Sequence, residues 1–329
     1  MHHMPKNFDF TDMVKLTSSA RLSSYRSTFT IADDAELFGL YSWNLELSGA
    51  FCSLIQLIEV ALRNAINEAG KKYITTEHNV HWFNVIPYSL SCEINSDVKC
   101  DGKDKLVKSA KVKGFESGIV KAERNARKML QKKLGKDTLA TPTLDQIISQ
   151  TDFSVWEHIL DKSFYDGDAS KGYLWPKGFA TAFKKMPMVT GKNRQFKQRD
   201  IIRRRVEAVR VLRNRVAHNE PIWKDACFID RSSVIRCLEE KIADIVELAY
   251  WISPVLHAFI RDGALVQRLK SIVCAYEMNN AMYLNLSSNI DSMETLIQVL
   301  QECHVYNRRI MIQNENIKAL VCANKNRFY

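Results

Sequence analysis

The stretch that most limits what this chain can become runs from Asp33 to Lys72. It contains no proline and repeats apolar side chains every three or four positions: Leu37, Leu40, Tyr41, Leu45, Leu47, Phe51, Leu54, Ile55, Ile58, Leu62 and Ile66. That period places them on one stripe of an α-helix, whereas a half-buried strand would alternate. Gly49 is expected to soften the helix near its middle, because glycine costs a helix interior about 1 kcal/mol relative to alanine. A chain of 329 residues with only 12 Gly and 7 Pro is poorly supplied with turns for an all-β fold. The fold class expected is all-α.

Further helices follow from the same period. Residues 11 to 30 read as one short helix, with Met13, Val14, Leu16, Leu22 and Tyr25 inward. Ile119 to Leu134 reads as a helix with Arg124, Arg127, Lys128, Lys132 and Lys133 on its wet side. Thr143 to Leu160 reads as a helix begun by Thr143 and Asp145, and Ser232 to Ile252 as another, with Pro254 starting the next. Ala264 to Tyr283 and Met293 to Cys303 are also helix-like. The apolar run Ile242 to Ile260 holds Asp244, Glu247, Pro254 and His257, which makes it a core helix and its successor rather than a membrane span. Cys100 to Gly114 is lysine-rich with two glycines and is expected to be a loop. Trp156, Trp175 and Phe183 are expected in the core rather than as stacking platforms for bases.

Charge is unevenly placed. From Cys92 to Lys136 there are 13 Lys or Arg against 6 Asp or Glu, and from Lys177 to Arg215 there are 13 against Asp200 and Glu207 alone. The two regions together exceed the whole chain's net charge of +10, so the remainder is acidic. Concentrated positive charge suits a polyanionic partner. The eight cysteines show no CxxC pair, which argues against zinc, and without a leader sequence they are expected to be reduced thiols in the cytoplasm. His78 and His81 lack a third ligand nearby and are expected to be surface residues, so no metal and no other cofactor is expected.

The second basic region ends in a distinctive stretch, Arg213-Asn214-Arg215-Val216-Ala217-His218-Asn219-Glu220-Pro221. Ile202, Val206, Val209, Leu212 and Val216 form one stripe of the helix that leads to it, and most of its arginines lie off that stripe. Histidine moves protons near neutral pH, and arginine presents a charged planar fork to phosphate oxygens. Residues five apart diverge by roughly 140° on an ideal helix. Arg213 and His218 therefore converge only if the chain leaves helix near His218, where Pro221 is expected to force a stop, or if two copies of the motif meet across a dimer. With Asn214 adding a neutral donor and acceptor, such a trio suits cleavage of RNA by its own 2′-hydroxyl.

The stretch Leu212 to Trp223 resembles the end of a HEPN domain, and specifically the bacterial Abi-like (abortive infection) family. Three other segments are similar to that family's pattern: Arg21-Leu22-Ser23-Ser24-Tyr25; Tyr41-Ser42-Trp43-Asn44 followed by Glu59 to Asn64; and Thr151 to Trp156 with Trp175-Pro176. The resemblance covers residues 10 to 262, with a basic insertion at about 92 to 118, and leaves 263 to 329 as a C-terminal helical extension. It implies a HEPN-type helical bundle and a metal-independent endoribonuclease of toxin or phage-defence type. Arg213 and His218 would be the catalytic pair, assisted by Asn214, in a homodimer whose two motifs face each other. It also implies that Glu59, Arg63 and Asn64 sit beside the motif. With Arg203, Arg210, Arg215, Lys128 and Lys132 of the basic regions, they are the expected RNA contacts. RNA is the expected partner, as substrate and as a structured noncoding antitoxin; no membrane partner is expected. The alternative is a non-catalytic RNA-binding protein held in a complex with such an RNA. Nucleotidyl transfer fits less well, because the transferases of this group carry a tyrosine shortly after the histidine, where this chain has Asn219-Glu220-Pro221.

Overall fold

The computed structural model describes residues 8–74, 80–92, 106–137, 139–224, 230–285, 287–315 and 317–325. His78, Cys100, Cys227 and most of the lysine-rich stretch before residue 106 lie outside them. In chain order the elements are α1 (Thr11–Thr17), α2 (Ser19–Thr28), α3 (Asp34–Tyr73), β1 (Ser91–Cys92), β2 (Leu106–Val107), α4 (Ala110–Leu134), α5 (Leu144–Ser149), α6 (Phe153–His158) and α7 (Phe179–Ala182). They continue with α8 (Arg194–Ala217), α9 (Arg231–Ile252), α10 (Pro254–Arg261), α11 (Ala264–Ile272), α12 (Ala275–Ala281), β3 (Ser288–Asn289), α13 (Met293–Tyr306), β4 (Arg309–Asn314) and β5 (Ile317–Cys322). The structure is mostly helical, consistent with the all-α class expected, with five short strands besides among the described residues.

The chain forms two compact units, one from Met1–Gln56, Val211–Glu247 and Val255–Tyr329, the other from Leu57–Arg210 and Leu248–Pro254. The long helix α3 runs without a break through Gly49 and belongs to both. Its apolar content would suffice to cross a membrane by length and composition. Here Leu37, Leu40, Leu47, Phe51, Leu54, Ile58, Leu62 and Ile66 are all buried, so that content is spent on core.

In the first unit, Trp43 and Trp223 pack together at 5.6 Å between ring centres, with Tyr25 and Phe29 edge-on to Trp223. The Trp43 indole donates to the Ile272 carbonyl at 3.1 Å. Gly39 lets α12 lie directly on α3, since a Cβ there would fall 1.8 Å from the Ala281 carbonyl oxygen. In the second unit, Trp82, Trp156 and Trp175 are buried, and each indole N–H is satisfied, by Asn67, Thr151 and the Ile159 carbonyl respectively. Trp156, Trp175 and Phe183 are thus core, as expected.

Several readings of the sequence are corrected, among them the single helix expected over Ala264 to Tyr283, which is two, α11 and α12. Residues 11 to 30 form two helices, because Ser18 takes φ 68° and its side chain caps α2 by accepting from Arg21 N–H. Thr143 to Leu160 is also split. Thr143 and Gln146 make a reciprocal cap for α5, and Thr151 then turns the chain by donating to the Ile148 carbonyl while accepting from Trp156. The end of the expected loop is helix: Ser109 caps α4 by accepting from Val112 N–H, and Gly114 sits inside that helix where the His158 ring leaves no room for a Cβ.

The last 67 residues are not purely helical either. β4 and β5 form an antiparallel hairpin with Ile310 opposite Val321, and β3 joins β4 in parallel. Helix α13 packs on it through Val299 and Cys303 against Ile310. Arg309 at the start of β4 ion-pairs with Glu46 of α3 and Glu277 of α12. The cysteines described are free, with Cys303 buried and Cys322 exposed.

Candidate functional site

Within the first unit, Arg213, Asn214, Arg215 and His218 occupy the last turn of α8 and the residue after it. Arg213, Asn214 and His218 are exposed, and among the described residues no side-chain hydrogen bond or ion pair engages them. What holds them is the backbone beneath. His218 N–H still donates to the Asn214 carbonyl at 3.0 Å, so the helical path reaches His218. The chain departs at Asn219, whose φ is 50°. Asn219 N–H then donates to the Val216 carbonyl at 3.1 Å and Glu220 N–H to the Arg215 carbonyl at 2.9 Å. This pair of bonds is a Schellman stop, built on an asparagine in the left-handed region that it tolerates better than most residues. The stop belongs to Asn219 and not, as expected, to Pro221, which follows once the helix has already ended.

The stop is gripped from three sides. Arg21 of α2 donates to the carbonyls of His218 and Asn219, each at 2.8 Å, placing a cation at the negative end of α8. The Asn219 side chain donates to the Tyr41 hydroxyl at 2.7 Å. Fully buried Asn44 accepts from Ile222 N–H at 3.2 Å, and its amide lies 3.4 Å from both Asn219 Oδ1 and the Glu220 carbonyl. Trp223 then anchors the chain in the cluster formed with Tyr25, Phe29 and Trp43. The Tyr25 hydroxyl is buried without a hydrogen-bond partner, and burial drives its pKa up. The separate segments singled out in the sequence, Arg21 to Tyr25, Tyr41 to Asn44 and Asn219 to Trp223, are therefore one structural lock around the end of α8.

No protein-family model, curated protein or solved structure matches this chain.

The other expected RNA contacts belong to the second unit. Glu59, Arg63 and Asn64 lie on α3; Asn64 is exposed, while Arg63 is half-buried with its Nε making no hydrogen bond. Lys128 and Lys132 stand exposed on α4. Arg203 and Arg210 are committed elsewhere. Glu157 of α6 is 0% exposed, and it takes Lys111 at 2.5 Å, Arg210 at 3.0 Å and Arg203 at 3.6 Å. Arg203 also meets Glu207 at 3.0 Å and Asp200 at 3.5 Å.

Sequence reasoning missed this cluster. Its clue was a lone glutamate in the apolar run Phe153 to Leu160, which burial makes costly unless cations attend it. Beside it, His158 has its Nδ1 buried and unpaired, and burial holds its imidazole below the usual range. Among the described residues no three His, Cys, Asp or Glu side chains group as metal ligands.

Proposed function

We propose that this chain is a HEPN-type endoribonuclease of the Abi-like kind, cutting RNA through the 2′-hydroxyl without a metal ion. The observation that carries the reading is that Arg213, Asn214 and His218 are solvent-facing and unengaged at a helix end which a buried network holds in place. Rigid backbone beneath free polar side chains is what pre-organised catalysis requires. His218 would move the proton, Arg213 would neutralise the phosphate as charge develops, and Asn214 would position it. Because the helical path continues to His218, the two side chains diverge by roughly 140° on helix geometry. This favours a site completed by two copies, the motif of one facing the motif of the other. RNA drawn to the basic surface would be the substrate, and products would end in a 2′,3′-cyclic phosphate and a 5′-hydroxyl.

The test is purified protein with RNA and EDTA. Cleavage should persist in chelator and fall by at least about a hundredfold in His218→Ala and in Arg213→Ala, the usual scale for a general acid–base group. Cleavage that needs a divalent ion, or that survives His218→Ala, sinks the reading. RNA bound tightly yet left intact by the unaltered protein would favour instead a non-catalytic partner of a structured RNA.

A further inference from the structure

In the first unit, α9, α11 and the end of α13 enclose a pocket of about 600 Å³ whose lining includes none of Arg213, Asn214 and His218. That volume lies within the range of sites that take small organic ligands. Its floor is apolar, made by Ile242, Val246, Val266 and Val273. Its rim is polar: Lys270 and Lys325 stand there, and neither is in an ion pair among the described residues. Arg261 also reaches the rim but is held by Asp262 through bonds of 2.7 and 2.9 Å. Glu239 offsets part of the lysines' charge and leaves the mouth net positive. Tyr306, Gln267 and Asn307 complete the lining, with an Asn307 amide N–H 3.5 Å from the Gln267 carbonyl.

We propose that this pocket binds a nucleotide unit, with the base on the apolar floor beside Tyr306 and the phosphate between Lys270 and Lys325. Each part of the lining has a counterpart in that ligand. A nucleobase offers a flat π-face to the floor and the ring, and hydrogen-bonding edges to the Gln267 and Asn307 amides. Its phosphate meets the lysines, and ribose hydroxyls can donate to Glu239. A fatty anion would match the floor and the cations but would leave the Gln267 side-chain amide and the Glu239 carboxylate with water alone. The source is either a free nucleotide or an unpaired residue of bound RNA. In the second case the pocket is an accessory RNA subsite, a role that rests on the RNA-directed reading above.

The experiment is a calorimetric titration of the full chain with adenosine and uridine monophosphates, inorganic phosphate, decanoate and a short unstructured RNA. Two variants are compared. K270E/K325E reverses the rim charge, and A243W fills the pocket from an exposed helix position, so that a folding defect in one does not mask the result. The expected result is binding of at least one mononucleotide, with inorganic phosphate much weaker. That binding should weaken about tenfold or more in each variant, as loss of phosphate contacts and of stacking requires. A parallel loss of RNA affinity assigns the ligand to RNA; loss for the mononucleotide alone assigns it to a free nucleotide. Absent mononucleotide binding, binding indifferent to both variants, or equal binding of phosphate or decanoate overturns the proposal. Cleavage lost in H218A alongside absent nucleotide binding would leave the ribonuclease reading standing and remove only the pocket.

Discussion

Glu157 shows how much one residue can fix. A carboxylate with no solvent exposure is tolerable only because Lys111, Arg203 and Arg210 converge on it. Removing its charge would strand those cations in a half-buried place. Glu157→Gln should therefore cost about 3 kcal/mol or more of unfolding free energy, read as a lower urea midpoint. A variant within about 0.5 kcal/mol of the unaltered protein would mean water already screens the cluster.

The neighbouring His158 makes a separate prediction. Burial lowers its folded pKa, so the unfolded chain binds a proton at pH values where the folded one does not. Its contribution to stability is complete above the ordinary histidine range and is lost as pH falls through that range toward the lowered folded value. Unfolding free energy should thus decline from about pH 7 to 5, and His158→Asn should flatten that slope. An unchanged slope in the variant would assign the acid sensitivity to other groups.

At the level of elements, the end of α8 depends on Asn219 holding a left-handed conformation while its side chain reaches Tyr41. Glycine keeps the first role and loses the second; valine loses both. Asn219→Gly should cost about 1 kcal/mol, the worth of a typical hydrogen bond, and Asn219→Val clearly more because a β-branched side chain resists positive φ. Equal losses in the two variants, measured by thermal or chemical unfolding, would show that the backbone conformation is not what matters there. Both substitutions should impair RNA cleavage more than Glu157→Gln does, since they disturb the turn that presents His218.

Across the whole chain, residues 263 to 329 are woven into the first unit. Trp43 is hydrogen-bonded to Ile272, α12 lies against Gly39, and Arg309 joins Glu46 to Glu277. Deleting 263–329 should therefore expose the Trp43 face and lower thermal stability by well over about 10 °C, or yield insoluble protein. A truncated chain that melts with the full one would show these contacts to be dispensable.

The bounds of the long helix were legible almost to the residue, because its apolar period and lack of proline leave a single reading, although Leu45 of the expected stripe is exposed. The breaks at Ser18 and Thr151 were not, since each is made by a small polar side chain whose partners come from the fold. The hairpin at 309–322 escaped for a different reason: its strands are short, and β5 is mostly exposed, so burial leaves no clean alternation to read. For the candidate site, the residues were found but their framework was not. Arg21, Tyr41 and Asn44 stood out only as pieces of a resemblance, and the fold gives them one shared mechanical task. Arg203 and Arg210 were assigned to RNA on charge alone, and charge counting cannot see a buried glutamate.

Arg21 reaches main-chain oxygens at positions 218 and 219, and those oxygens are the same whatever side chain stands at 218. An alanine in place of the imidazole would leave that anchorage whole. Silence from such a variant would then report missing chemistry rather than a loosened scaffold, which makes this histidine an unusually clean place to ask the question.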